Sequence, residues 1–305
     1  MDLSYHYTTI EKFQNLLESS VGANGKITEF NFWASSIYAM NDPKEFLFGY
    51  DKLWDDLIPL IEKEIGINDD KHKLSMLWEK YKFSSKNEWK EAVLKGLYDI
   101  HETPFIISFS KNEDRLPMWT TYANNGNGIC LGFSNYEYKI NNYNTKISDA
   151  DVEIIHNLHT SEVTYDKPDE LVNKMVERYY SDFYNKYSTI LDESQLNKKM
   201  AEAFAFLSII AAPYHKHKAY EYEKEERLIV FKKDETDVKY RCNSLGRLIP
   251  YIIVPIKAKY LKRIIIGPCA DFTSLRRELY LELSKLGVKI DIEAITQSDV
   301  PYRIF

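Results

Sequence analysis

The separation of strand-like from helix-like stretches constrains this chain more than any other feature. Its last third holds four short apolar runs rich in β-branched residues: "ERLIVF" at 226–231, "LIPYIIVPI" at 248–256, "RIIIG" at 263–267 and "VKIDIEAI" at 288–295. Two other stretches, about 47–101 and about 168–216, carry apolar residues at helical spacing. Leu53, Leu57, Leu60 and Ile61 make one stripe, and Leu74, Leu77, Trp78 and Tyr81 make another. Shorter extended pieces are expected at Leu3–Tyr7, 30–36, 105–110, 129–133 and 161–166. Helices are expected from Thr9 to about Ser20, over 114–125 with Pro117 in the first turn, and over about 271–286. Strands and helices are segregated more than alternated, which favours α+β over a doubly wound parallel sheet.

Composition narrows the function classes. With 305 residues, 44% of them hydrophobic, the chain can bury a large core as one domain. The net charge is −6, so a wholly basic nucleic-acid surface is excluded and any such contact has to be local. Cys130, Cys242 and Cys269 are odd in number and far apart, which suggests neither a disulfide framework nor a zinc knuckle. There is no basic-then-apolar leader, and the longest apolar helical stretch, "AFAFLSIIAA" at 203–212, is too short to span a bilayer. A reducing cytoplasmic setting with no membrane partner is therefore the expectation. The 23 tyrosines suit half-buried strand positions, or a pocket for flat rings.

Several familiar sites are missing: there is no GxxxxGK[ST], no GxSxG and no HExxH. "GNGICLG" at 126–132 precedes a strand instead of opening a helix, so the dinucleotide fingerprint fails on context. "HNLH" at 156–159 is a weak metal candidate, and "HKHK" at 215–218 reads as the cationic end of a helix. "SYHYTT" at 4–9 is more pointed. Thr8 and Glu11 form an S/T-x-x-E box, which places His6 on a strand just before a helix N-terminus. That position suits an anionic ligand as well as it suits a core histidine. In "YEKEERLIV" at 222–230, alternation predicts Glu223 and Glu225 on one strand face, where like charge raises the pKa of at least one.

Taken in order, these stretches resemble a bacterial domain-of-unknown-function family, number 2971, whose members look like a divergent branch of the ADP-ribosyltransferase fold. The resemblance rests on Tyr5-His6-Tyr7-Thr8, Asn41-Asp42-Pro43 followed by Glu45-Phe46, Ser108-Phe109-Ser110, and Met118-Trp119 with Tyr122-Ala123. It continues through Gly128, Gly132-Phe133, Tyr222-Glu223-Lys224-Glu225, Arg227, Ile265-Ile266-Gly267 and Pro301-Tyr302-Arg303. Glu226 departs from it, standing where an aromatic residue is common.

The resemblance implies one domain over 1–305, with a split β-sheet core and large helical insertions at about 47–101 and 168–216. It implies an NAD-dependent ADP-ribosyltransferase-type enzyme with a protein, nucleic-acid or small-molecule acceptor. Relatives of that fold serve as toxins or phage-defence effectors. Two alternatives stay open: a nucleotide or nucleic-acid sensor without turnover, and an NAD glycohydrolase. In the transferase reading Glu225 stabilises charge on the ribose, Glu223 orients a nucleophile and His6 bonds the ribose hydroxyls. Tyr7, Thr8, Ser108 and Ser110 line the NAD cleft. Trp119 or Tyr122 stacks on a ring, and Arg227 pairs with a phosphate or with Glu225. Everything in this reading requires His6 and Glu225 to face one crevice.

Overall fold

The computed structural model describes residues 3–40, 44–64, 66, 84–85, 87–88, 90–91, 103–134, 160–165, 189–192, 195, 211–232, 237–243 and 246–303. The second helical stripe around Trp78, most of the 168–216 helical stretch, the Asn41-Asp42-Pro43 turn and "HNLH" lie outside these residues. The described part is a mixed α/β structure built on a ten-stranded, mostly antiparallel sheet. Its strands are β1 (Leu3–Thr8), β2 (Glu29–Ser36), β3 (Thr103–Ser110), β4 (Ile129–Ser134) and β5 (Thr160–Glu162), then β6 (Glu225–Lys232), β7 (Lys239–Cys242), β8 (Leu248–Lys257), β9 (Leu261–Ile266) and β10 (Ile295–Gln297). The described helices are α1 (Ile10–Ser20), α2 (Glu45–Lys52), α3 (Ile58–Glu64), α4 (Leu116–Tyr122) and α5 (Phe272–Lys285). A π-helical turn, Leu53–Leu57, joins α2 to α3.

Three local expectations need correction. Helix α1 is capped by Thr9, whose side chain accepts from the Lys12 N–H, so the Thr8–Glu11 box is not the cap and Thr8 ends β1. Residues 288–291 form no strand. A 3₁₀ turn at Ile292–Ala294 leads instead to β10, which lies parallel to β9. Glu223 is not on the strand: it closes a 3₁₀ helix, Lys218–Glu223.

Strand β3 is the hub. Along one edge it pairs with β6 from end to end, Thr103 opposite Lys232 and Ser110 opposite Glu225. Its other edge is shared. Strand β1 meets it at Tyr5–Ser110, and β2 meets it at Ser35–Ile106 and Ser36–Phe105. The sheet therefore forks, one limb running β1-β4-β9-β10 and the other β2-β8-β7.

Alternation sorts the side chains into two faces. One face carries Phe30, Phe32, Phe105, Phe109, Phe133, Leu228 and Val230, packed under Phe13 and Leu17 of α1 and Leu279 and Leu283 of α5. Asp271 caps α5 by accepting from the Ser274 N–H. The opposite face carries Tyr5, Tyr7, Cys130 and Ile265, covered by Met118 and Trp119 of α4. Farther along that second face the strands turn polar, and the functional candidates collect there. Helix α2 closes over this region against the 3₁₀ turn Ala212–Tyr214. The approach is so close that a Cβ on Gly49 would collide with the Ala212 carbonyl oxygen.

Candidate functional site

Five ionisable side chains meet on the second face with almost no solvent contact. Glu45 comes from the first turn of α2, Lys216 follows the 212–214 turn, Glu223 ends the next 3₁₀ helix, and Glu225 and Arg227 lie on β6. Their exposures are 4%, 6%, 2%, 3% and 0%. Glu225 is held on both oxygens: Arg227 donates from Nε at 2.8 Å and Nη2 at 3.0 Å, and Lys216 Nζ donates at 2.9 Å. Glu223 accepts from Lys216 Nζ at 2.7 Å and from the Tyr122 hydroxyl at 2.8 Å. The Arg227 guanidinium also bonds the Glu45 carboxylate and the Pro213 carbonyl.

The backbone explains how two carboxylates two residues apart can converge although only one is on a strand. Lys224 adopts the left-handed region, φ 42° and ψ 53°, which stops the 3₁₀ helix and turns the chain into β6. This conformation is costly for a residue with a Cβ and persists only where the surroundings enforce it. Here the Glu223 carbonyl accepts from Ser110 Oγ, the Lys224 carbonyl accepts from the Lys111 N–H, and the Glu225 N–H donates to the Tyr165 hydroxyl.

Burial dominates the electrostatics. It raises the Glu225 pKa above the ordinary carboxylate value, while Lys216 pulls it back down. Burial works against the Lys216 ammonium, but Glu225 and Glu223 outweigh it and hold its pKa above the usual lysine range. Burial also pulls the Arg227 pKa down; bonded to two carboxylates, the guanidinium stays protonated. Burial, then Glu223, raises the Tyr122 hydroxyl, which remains a donor. Among the described residues three carboxylates face two cations, so the fully ionised cluster they form carries one net negative charge in a low-dielectric setting.

The structure gathers Ser108, Ser110, Tyr122, Glu223, Glu225 and Arg227 on one face. Ser110 and Ser108 stand opposite Glu225 and Arg227 in register. Ser108 Oγ is buried with no well-aligned hydrogen bond among the described residues, and it lies near enough to the Glu225 carboxylate to help lower its pKa. His6 is elsewhere. Because Tyr5, Ser110 and Glu225 share one row, alternation turns His6 to the other face. Its ring lies edge-on to Phe32 and Phe109, and its Nδ1 is 3.0 Å from the Ser108 carbonyl oxygen. His6 thus fills the fork where β1 leaves β3, and burial lowers its pKa. The two-walled crevice joining His6 and Glu225 is not formed. Thr8, at 5% exposure, follows the parity of His6. Tyr7 and Trp119 pack edge-to-face at 5.0 Å, with Trp119 fully buried and its indole N–H donating to Asp114.

Sequence reasoning missed Glu45, Lys216 and Tyr165 as site residues. The "HKHK" motif does follow a helical turn, since the His215 N–H caps the Ala212 carbonyl, but it is not a solvated cationic end: Lys216 is drawn inward to the carboxylates and His215 is buried at 2% exposure. A lysine followed at seven and nine positions by glutamates was visible in the sequence, but only the turn at Lys224 makes that spacing meaningful.

The fold and site define a mixed α/β chain with a charged cluster sealed against one sheet face. Residues 118–228 match the family model described as "Protein of unknown function (DUF2971)". The match begins at Met118 in α4 and ends at Leu228 in β6, and so contains Tyr122, Lys216, Glu223, Glu225 and Arg227. No curated protein and no solved structure matches the chain. Among the described residues no helix is long and apolar enough to cross a membrane, and no group of histidine, cysteine, aspartate or glutamate is arranged to hold a metal ion.

Proposed function

We propose that the buried cluster is a glycosyl-transfer site for a nucleotide of the NAD type. The crevice shared by His6 and Glu225 that the transferase reading called for is absent among the described residues, which counts against it, and the proposal rests on Glu225 and Glu223 alone. The observation that carries this reading is the surplus of carboxylate over cation in a site shielded from water. Fixed negative charge of that kind favours the positive charge that develops on a sugar when its glycosidic bond breaks. The forked sheet and the ordered motifs from Tyr5 to Arg303 also support an ADP-ribosyltransferase-like relationship.

The residues fit only the nicotinamide-ribose end of such a ligand. Glu225 and the buried Ser108 hydroxyl beside it would meet the ribose, and Glu223, oriented by Tyr122 and Lys216, would direct the nucleophile. NAD would supply an ADP-ribosyl group through its nicotinamide bond, and an acceptor nucleophile or water would receive it. Arg227 acts as the ion-pair partner of Glu225. A binding module without turnover is the second reading. It is favoured by the fact that both oxygens of Glu225 are already bonded to cations.

The test is incubation of the whole protein with NAD labelled in the adenylate, with and without bacterial lysate. Label on a macromolecule supports transfer, and free nicotinamide alone supports hydrolysis. Binding by calorimetry with neither product supports the sensor. If turnover occurs, Glu225→Gln should lower its rate about 10²–10³-fold. Turnover at full rate in that variant removes Glu225 from the mechanism.

A further inference from the structure

We propose that the exposed side of the β2-β8-β7 limb binds single-stranded nucleic acid, with Trp33 and Tyr251 as a stacking platform and Arg241 as the phosphate contact. The proposal is independent of catalysis at the buried cluster. Trp33 and Tyr251 are half-buried on the second sheet face, with ring centroids 4.8 Å apart and planes within 29°. Arg241 reaches across β8, its guanidinium 5.7 Å from the Trp33 ring and its Nη2 donating to Ser35 Oγ at 2.9 Å. Among the described residues no carboxylate pairs with Arg241, and its Nε is buried without a partner. Burial lowers the pKa of this guanidinium, and the Tyr251 phenol offsets part of the effect. A partly buried arginine lacking its anion, beside a flat aromatic pair, is what a nucleotide unit complements: the base stacks and the phosphate supplies the charge.

The surrounding charge selects a strand over a lone nucleotide. Residues 237–262 hold Lys239, Arg241, Arg247, Lys257, Lys259 and Lys262 against a single acid, Asp237, in a chain whose net charge is −6. Alternation puts Lys239 and Lys257 on the same face as Arg241 and Tyr251. Lys239 stands opposite Tyr251, and Lys257 lies at the far end of β8 opposite Glu29. A backbone crossing the limb would therefore meet Lys239 and Arg241 on the β7 side of the aromatic pair, and on the other side Lys257 with Glu29 opposite it.

Fluorescence anisotropy with labelled oligothymidylate and oligouridylate of about 20 nucleotides tests this on the full chain, at about 50 and 200 mM salt. Expected is binding of at least one oligonucleotide, weakening as salt rises. Trp33→Ala and Arg241→Gln should each reduce affinity about 5- to 100-fold. Trp33→Phe should retain most of it, and Lys12→Ala on α1 should leave it unchanged. Thermal melts accompany each variant, and if Trp33→Ala is not folded, Arg241→Gln decides. Four results would overturn the proposal: no binding at low salt, undiminished binding by folded Arg241→Gln, equal affinity for a duplex of the same length, or displacement by a mononucleotide at equal nucleotide concentration.

Discussion

Replacing Lys216 with Met tests whether the cluster is held by its cations. The variant keeps most of the side-chain volume and removes one of two positive charges facing three carboxylates. Breaking a buried pair by deleting one partner costs about 3–5 kcal/mol, because the remaining charge is neither solvated nor paired. With roughly 2.1 cal/mol/K per residue over 305 residues, the unfolding entropy is about 0.64 kcal/mol/K, so the melting temperature should fall about 5–8 °C. The loss should also depend on pH. Lys216 is what pulls the Glu225 pKa down, so its removal lifts a carboxylate already raised by burial. A folded-state carboxylate pKa above the unfolded value gives stability that is present below the unfolded pKa and lost as pH rises through the folded one. The deficit relative to the parent protein should therefore be largest near pH 8 and shrink toward pH 5. Adding Glu223→Gln to Lys216→Met should restore at least half of it, since one stranded charge disappears. Thermal melts followed by circular dichroism measure all of this. A deficit under about 2 °C, or one of equal size at both pH values, would refute the account of the cluster as a desolvated ion network.

Three further outcomes follow from the same coordinates. Gly49→Ala should destabilise the protein by about 1–3 kcal/mol in urea titrations, because the new methyl group would press into the Ala212 carbonyl and push α2, with Glu45, off the cluster. Asp114→Ala should cost about 2–4 kcal/mol by the same measurement, since its carboxylate accepts from the Trp119 indole, the Ser298 hydroxyl and the Asp299 N–H. His215, whose Nε2 is buried without a hydrogen-bond partner among the described residues, has its pKa lowered by burial from 6.5 to about 4. Its depressed value means stability is lost as pH falls from about 6.5 toward 4, by about 3 kcal/mol in all. His215→Gln should flatten that part of the acid-stability profile.

The sequence leaves open whether Arg227 pairs with Glu225, as it does, or with a phosphate, but the shared face of the two was legible, because they are two residues apart on a strand. So was the separation of His6 from Tyr5 and Tyr7. The cluster itself was not. Glu45 lies 180 positions before Glu225, and nothing local relates them. Glu223 reaches its place through a left-handed turn at a lysine, a residue with no special preference for that conformation. The expected partnership of His6 with Glu225 was plausible because both lie on strands of one sheet, but the face each strand presents depends on register. The single pairing of Tyr5 with Ser110 fixes that parity for β1, and it sends His6 the other way.

What the sequence determined by itself is local and periodic. It set where most strands run, though not β7 and not the stretch 288–291, which side chains share a face within a strand, and the segregation of helices from strands. Tertiary structure decided what those faces meet. It forked the sheet at β3, seated His6 in the fork, brought α2 and the 212–223 segment over β6, and enclosed three carboxylates with two cations. The physical reason is that alternation and propensity act over a few residues, whereas register and desolvation depend on contacts between segments far apart in the chain.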